Sequence, residues 1–206
     1  MLSSLASMFR IEALVYQFTG FRKKQAPPAA GVARGVFFRA SESSIHFLFS
    51  EDGSRRGLFL RFLRAGFSGV FLVRNGKWIS YGWYTPPGTG RPPHLPQWAS
   101  QLGAYWIFYC HTREEFRNQG NYKRLVGQVV RTINARDDAA WILCDTIPDN
   151  FASRRAVLQS GFTPAGVLTS YHPLPDVFLQ SRWDRQKEHQ PPLEQALDTL
   201  PNRAAG

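Results

Sequence analysis

The chain has 206 residues, room for one domain with a sizeable core. Hydrophobic residues make up 43% and aromatics 14%, which excludes a disordered chain, while 14 prolines and 17 glycines imply frequent turns. Lys and Arg number 25 against 15 Asp and Glu, and the resulting charge of +10 favours anionic partners such as nucleic acid, anionic lipid or phosphorylated small molecules.

The opening "MLSSLASMFRIEALVYQF" is interrupted by Arg10 and Glu12, so its uncharged run is too short to span a bilayer and lacks a basic leader. It reads as an amphipathic helix ending at "FRKK", packed on the domain; peripheral membrane contact is conceivable but not expected. With the Pro-rich "RKKQAPPAAG" (22–31) it makes residues 1–34 an N-terminal helix and linker. "RRGLFLRFLRAG" (55–66) is a short helix ending at Gly66. "SGVFLVRNGKWISYGWYTPPG" (68–88) is a strand, a turn at Asn75 and Gly76, and a second strand. The prolines of "TPPGTGRPPHLPQW" stop the sheet and leave a long loop near function. "AYWIFYCHT" (104–112) is an aromatic strand, and the helix after Gly120 carries Tyr122, Leu125, Val126, Val129, Val130 and Ile133 as an apolar stripe. "AAWILCDT" (139–146) is a buried strand, and "PDN" starts a helix that ends at Gly161. "VLTSYHPL" and "VFLQSRW" close a mixed α/β domain over 35–184, and 185–206 forms a polar tail.

Basic residues are scattered, without a zinc-finger, basic-zipper or aromatic RNA-binding signature, so nucleic acid is disfavoured. Cys110 and Cys144 have no metal-ligand spacing, which argues against a disulfide framework or metal site and fits a reducing cytoplasm.

The segment "TREEFRNQGNYKRL" joins a strand to a helix. A helix N-terminus offers unpaired amides and about half a positive charge to an anion. Arg117, Lys123 and Arg124 add positive charge there, and Gly120 lets the backbone approach a phosphate. The order strand, "TREEFRNQGNY", helix, strand, "DNFASRRAVLQSGF" resembles the GNAT superfamily of acyl-CoA-dependent N-acyltransferases. Its phosphate-binding run corresponds to Arg117, Asn118, Gln119, Gly120, Asn121 and Tyr122, with Asn118 standing where many members carry glycine. Asn150, Ser153, Gly161 and Phe162 match a second signature, most like the ribosomal-protein N-terminal acetyltransferase branch. The resemblance covers roughly residues 68–183.

The resemblance implies a GNAT-like fold with a central twisted mixed sheet of about six or seven strands flanked by helices. It implies acetyl-CoA or another acyl-CoA as co-substrate, lying where the strands around Tyr109 and Leu143 splay apart. Thr112 and the residues from Arg117 to Lys123 would hold the cofactor, its diphosphate against the Gln119 to Lys123 amides, and Asn150 and Ser153 would line its path. The backbone amide of Cys110 would serve the oxyanion.

The acceptor amine must lose a proton, for which His111, Glu114, Glu115 and Asp145 are candidates. If Tyr105, Tyr109 and His111 share one strand face by alternation, His111 stands at the cleft mouth. Many GNAT enzymes protonate the leaving thiolate with a Tyr at the position of Val157, so here Tyr171, Tyr122 or water serves, or CoA leaves unassisted because a thiolate is already a tolerable leaving group. Trp78, Tyr81, Trp83, Tyr84, Trp98, Tyr105 and Trp106 crowd the acceptor side and suit a small-molecule amine such as an amino sugar. Acetylation of a peptide N-terminus, a non-catalytic CoA-binding module, and a basic membrane or nucleic-acid protein are the rival readings. A monomer or homodimer is expected.

Overall fold

Asn75 and Gly76, both left-handed with φ of 51° and 73°, turn the chain between β3 (Ser68–Arg74) and β4 (Lys77–Thr85), the hairpin read from the sequence. Around it the computed structural model describes residues 9–20, 35–137, 140–172 and 180–185. In chain order the other elements are β1 (Phe9–Phe18), β2 (Val36–Arg39), α1 (Glu42–Leu48) and α2 (Gly53–Arg64). Beyond the hairpin come β5 (Tyr105–Thr112), α3 (Asn121–Asn134), β6 (Ile142–Thr146), α4 (Phe151–Gln159), β7 (Phe162–His172) and β8 (Gln180–Asp184).

The strands form one eight-stranded sheet in the order β2-β3-β4-β5-β6-β1-β7-β8. β5 and β6 are its parallel pair, joined by the crossover helix α3, and the remaining pairs are antiparallel. One face packs Ile45, Phe59 and Phe62 of α1 and α2 onto Phe71, Tyr81, Trp83 and Phe108. The other packs Leu125, Val126, Val129, Val130 and Ile133 of α3, with Val157 of α4, onto Tyr84, Ile107 and Cys144. Each fully buried aliphatic side chain of that stripe contributes about 1.5–3 kcal/mol of transfer free energy. No helix among the described residues is long and apolar enough to cross a membrane.

The mixed fold is as expected, and the sheet has two strands not read from the sequence, β2 and β1; β1 takes residues 9–18, expected to be helical, while residues 1–8 lie outside the described residues. β1 runs between β6 and β7, with Leu14 opposite Thr146 and Val167. Ala13, Leu14, Val15 and Tyr16 are each at most 8% exposed. A strand covered on both faces shows no alternation, so its apolar run cannot be told from a buried helix turn. The linker at 22–31 and the tail beyond Arg185 lie outside the described residues.

Because β1 supplies the pairing partner of both β6 and β7, a chain lacking residues 1–18 is expected to show no cooperative unfolding transition in urea. A truncated chain that unfolds with the same midpoint and slope as the full one would contradict the central placement of this strand.

Candidate active site

The site begins where β5 stops behaving as a regular strand. β5 pairs with β6 at Tyr105↔Ile142, Trp106↔Leu143 and Ile107↔Cys144. Immediately beyond, its register with β4 shifts between Tyr81 and Trp83, and Tyr109 takes a left-handed φ of 47°. This is a β-bulge, which puts one extra residue into the strand and breaks its alternation. Phe108 and Tyr109 both turn toward α2, their rings 5.2 and 5.6 Å from that of Phe62. The expectation that Tyr105 shares a face with Tyr109 and His111 is therefore corrected. Tyr105 packs on the α3 face with Tyr84, whereas Tyr109 and His111 stack on Tyr81 on the α2 face. Gly82 lies opposite the bulge, where an added Cβ would stand 2.9 Å from Cys110 Sγ.

On the α3 face the fork opens into a cleft of about 530 Å³, within the usual range of about 300–1,000 Å³ for small-molecule sites. Cys110, His111 and Thr112 at the end of β5 form one wall, and Asn150 and Ser153 at the start of α4 form another. Arg117, Asn118, Gly120, Asn121, Tyr122 and Lys123 form the end between them. Asn118 and Gly120 are left-handed, with φ of 60° and 72°, a conformation that asparagine tolerates better than most residues. Gly120 caps α3 without a side-chain hydrogen bond, and the first helical bond is donated by Arg124 N to Gly120 O at 3.0 Å. The amides of Asn121, Tyr122 and Lys123 therefore precede the helical ladder. A Cβ built on Gly120 meets nothing within 4 Å, so the backbone there faces open space.

Gln119 departs from this group, since its side-chain amide turns back to donate to Glu115 O at 3.1 Å. Arg117 donates to Thr112 O at 3.3 Å and pairs with the exposed Glu114, and Glu115 pairs with Arg113 at 3.0 Å, so both glutamates brace the loop. Asn150 accepts from Ser153 N at 3.0 Å as the cap of α4. Tyr122 and Ser153 share a hydroxyl hydrogen bond of 2.9 Å that ties α3 to α4. Lys123 and Arg155, both lining the cleft, make no hydrogen bond or ion pair among the described residues. Arg155 was not picked out from the sequence, because one arginine on an exposed helix face carries no spacing signal.

Burial pushes the Cys110 thiol up to about 12, so it stays protonated near neutral pH. Burial also holds Tyr122 well above its ordinary value. His111 stacks on Tyr81 with ring centroids 5.5 Å apart, and burial, with Arg55 and Arg117 nearby, lowers its pKa. Tyr171 lies on β7, paired with Arg10 and Gln180 and separated from β6 by β1, and does not line the cleft.

Asp145, on the α2 side of the fork, accepts from Trp106 Nε1 at 2.7 Å and meets His94 Nε2 at 3.1 Å through both oxygens. Burial favours its neutral form, yet the His94 charge and these hydrogen bonds outweigh it and depress its pKa. Burial likewise opposes charging of His94, and the Asp145 carboxylate overcomes it and raises the pKa. His94 comes from the long Pro-rich loop, and the sequence offered no sign that it meets a residue 51 positions away.

No family model matches the sequence, and no curated protein matches it. Solved structures do. One is a GCN5-related N-acetyltransferase-like protein from Streptococcus suis, with TM-score 0.53, 13% identity, and 81% of this chain and 62% of that chain covered. A protein described as a GNAT-family acetyltransferase from Novosphingobium aromaticivorans matches with TM-score 0.51, 13% identity, and coverage of 79% of this chain and 65% of that one. A Drosophila protein matches with TM-score 0.56, 10% identity, and coverage of 84% and 54%. The chain has the GNAT-superfamily fold, and it spans between about half and two thirds of the length of these structures.

The His94–Asp145 pair has a pH signature. The depressed carboxylate stabilises the fold above the ordinary Asp value of 3.8 and loses that effect as pH falls through its folded pKa. The raised imidazole stabilises it below the ordinary His value of 6.5 and loses that effect as pH rises through its folded pKa. The difference in Tm between the natural chain and Asp145→Asn is thus expected to peak between pH 3.8 and 6.5 and to shrink on both sides. A difference independent of pH would show that the pair is not an ion pair.

Proposed function

We propose that the chain is an N-acyltransferase that moves acetyl from acetyl-CoA to a primary amine of a small molecule, such as an amino sugar. The observation that carries this reading is the cleft at the β5–β6 fork. It combines uncapped α3 amides behind Gly120 with the unpaired cations of Lys123 and Arg155. Such a set suits a diphosphate and a further phosphate, as amides and fixed charges together bind phosphoryl oxygens. Thr112, Arg117, Asn118, Asn121 and Tyr122 complete that end, with Gln119 contributing through its backbone. Asn150 and Ser153 line the way along α4 toward the fork.

The acetyl group would then lie at the bulge, where the Cys110 amide serves the carbonyl oxygen as negative charge develops. The amine attacks the thioester carbon directly. A thiol held near 12 by burial makes a poor nucleophile, so an acetylated Cys110 is not part of the reaction. The tyrosine that lines the cleft is Tyr122, and its hydroxyl offers the leaving sulfur a hydrogen bond more readily than the distant Tyr171. On the α2 face the acceptor would meet Tyr109, Tyr81 and His111, with the Arg55 and Arg113 guanidiniums 5.2 and 5.0 Å from the Trp78 ring. His111, kept neutral, is suited to contact the acceptor amine. The two free thiols fit a reducing compartment such as the cytoplasm.

Calorimetric titration with acetyl-CoA tests the reading. Saturable binding is expected, weakened at least tenfold in Gly120→Glu, which sets a carboxylate against the phosphate site. Gly120→Asn, which tolerates the left-handed backbone, is expected to keep the fold and lose less affinity. A folded Gly120→Glu chain with unchanged affinity would remove the phosphate assignment, and absence of any acetyl-CoA binding would remove the enzyme.

A further inference from the structure

His94 is brought to the fork by a loop rather than by an element of the sheet. Regular pairing of β5 and β6 ends at Ile107↔Cys144, and the next residue of β6 is Asp145. Its carboxylate is held by Trp106 Nε1 at 2.7 Å and by His94 Nε2 at 3.1 Å, and its side chain is only 10% exposed. Cys144, the residue before it, packs on the α3 face, so the Asp145 carboxylate stands on the α2 side of the fork, across the sheet from the cleft. His94 is 47% exposed, with its ring over Phe108, the first β5 residue past the regular pairing. Since Nε2 faces a carboxylate, the neutral ring carries its proton there and leaves a lone pair on Nδ1, which has no hydrogen-bond partner among the described residues.

We infer that His94, oriented by Asp145, is the group that takes the proton from the acceptor amine at the β5–β6 fork. This rests on the acyl-transfer reading above. The amine nitrogen bonds to the thioester carbon, its proton passes to His94 Nδ1, the C–S bond breaks, and CoA leaves as thiolate. The imidazolium then releases the proton to solvent from its exposed edge. Trp106 fixes Asp145, and Asp145 fixes the tautomer; both are positioning residues. The groups facing His94 are Asp145 from β6, which favours the charged ring, Arg91 from its own loop, which disfavours it, and the neutral Phe108 ring from β5. The balance lies with Asp145, so the base titrates above the ordinary His value of 6.5.

Two measurements on the full chain test this. First, the His94 ring resonances, assigned by their loss in His94→Gln, are followed by NMR with and without saturating acetyl-CoA. They are expected to shift on binding and to titrate at lower pH in Asp145→Asn. Second, thiol release from acetyl-CoA with glucosamine as acceptor is followed against pH. In the natural chain the rate is expected to rise with pH through the His94 titration. In His94→Gln kcat is expected to fall about 10²- to 10⁴-fold and lose that limb, with the KM for acetyl-CoA unchanged. Resonances unmoved by bound acetyl-CoA, or an unchanged pH profile in His94→Gln, would overturn the inference while leaving the enzyme reading intact. If glucosamine is not turned over, the resonance shift alone decides. Absence of acetyl-CoA binding would instead remove the function on which it rests.

Discussion

The structure turns on an interruption. β5 lies at the centre of the sheet, and an unbroken ladder there would leave no room for a ligand between strands. The left-handed Tyr109 and the register shift against β4 end its regularity just where its pairing to β6 stops. The strain of a non-glycine residue at positive φ costs about 1–3 kcal/mol and persists only where the surroundings enforce it. The half-exposed Tyr109 ring rests against Phe59, Phe62 and Tyr81, and Gly82 opposite leaves space for Cys110.

The two faces of the sheet divide the work at that interruption. The α3 face carries uncapped amides, left-handed turns and unpaired cations, a surface for phosphates and an extended chain. On the α2 face, aromatic rings, two histidines and one buried carboxylate form a surface suited to an amine and its proton. Past the bulge β5 serves both, with Cys110 packed on the α3 face and the Tyr109 and His111 rings stacked on Tyr81, while His111 also borders the cleft. The pKa shifts agree with this division: thiol and phenol in the cleft are kept neutral by burial, and at the fork the contact between His94 and Asp145 raises the imidazole and lowers the carboxylate.

Much of this was legible in the sequence, and the reasons differ by element. The Asn75–Gly76 hairpin, the α3 stripe and the Gly120 turn were readable because each depends on neighbours within a few positions. β1 was not, since a strand buried on both faces lacks the period that distinguishes strand from helix. The shared face of Tyr105, Tyr109 and His111 was misread because alternation assumes a regular strand, and only the pairing with β4 exposes the extra residue. His94 and Asp145 were beyond reach as a pair, for no local rule brings a histidine in a proline-rich loop onto a carboxylate 51 positions later. Asp145 alone was legible as a carboxylate at a strand end.

The central claim of the proposed function is that acetyl-CoA runs from the α3 N-terminus along the α3 face to the bulge and leaves the α2 face to the acceptor, and a crystal structure of the full chain with acetyl-CoA bound is its most direct test. The account predicts the diphosphate within hydrogen-bond reach of the Gln119 to Lys123 amides and the thioester between Tyr109 and Asp145. A ligand bound away from the α3 N-terminus, or one whose acetyl end never enters the fork, would contradict it.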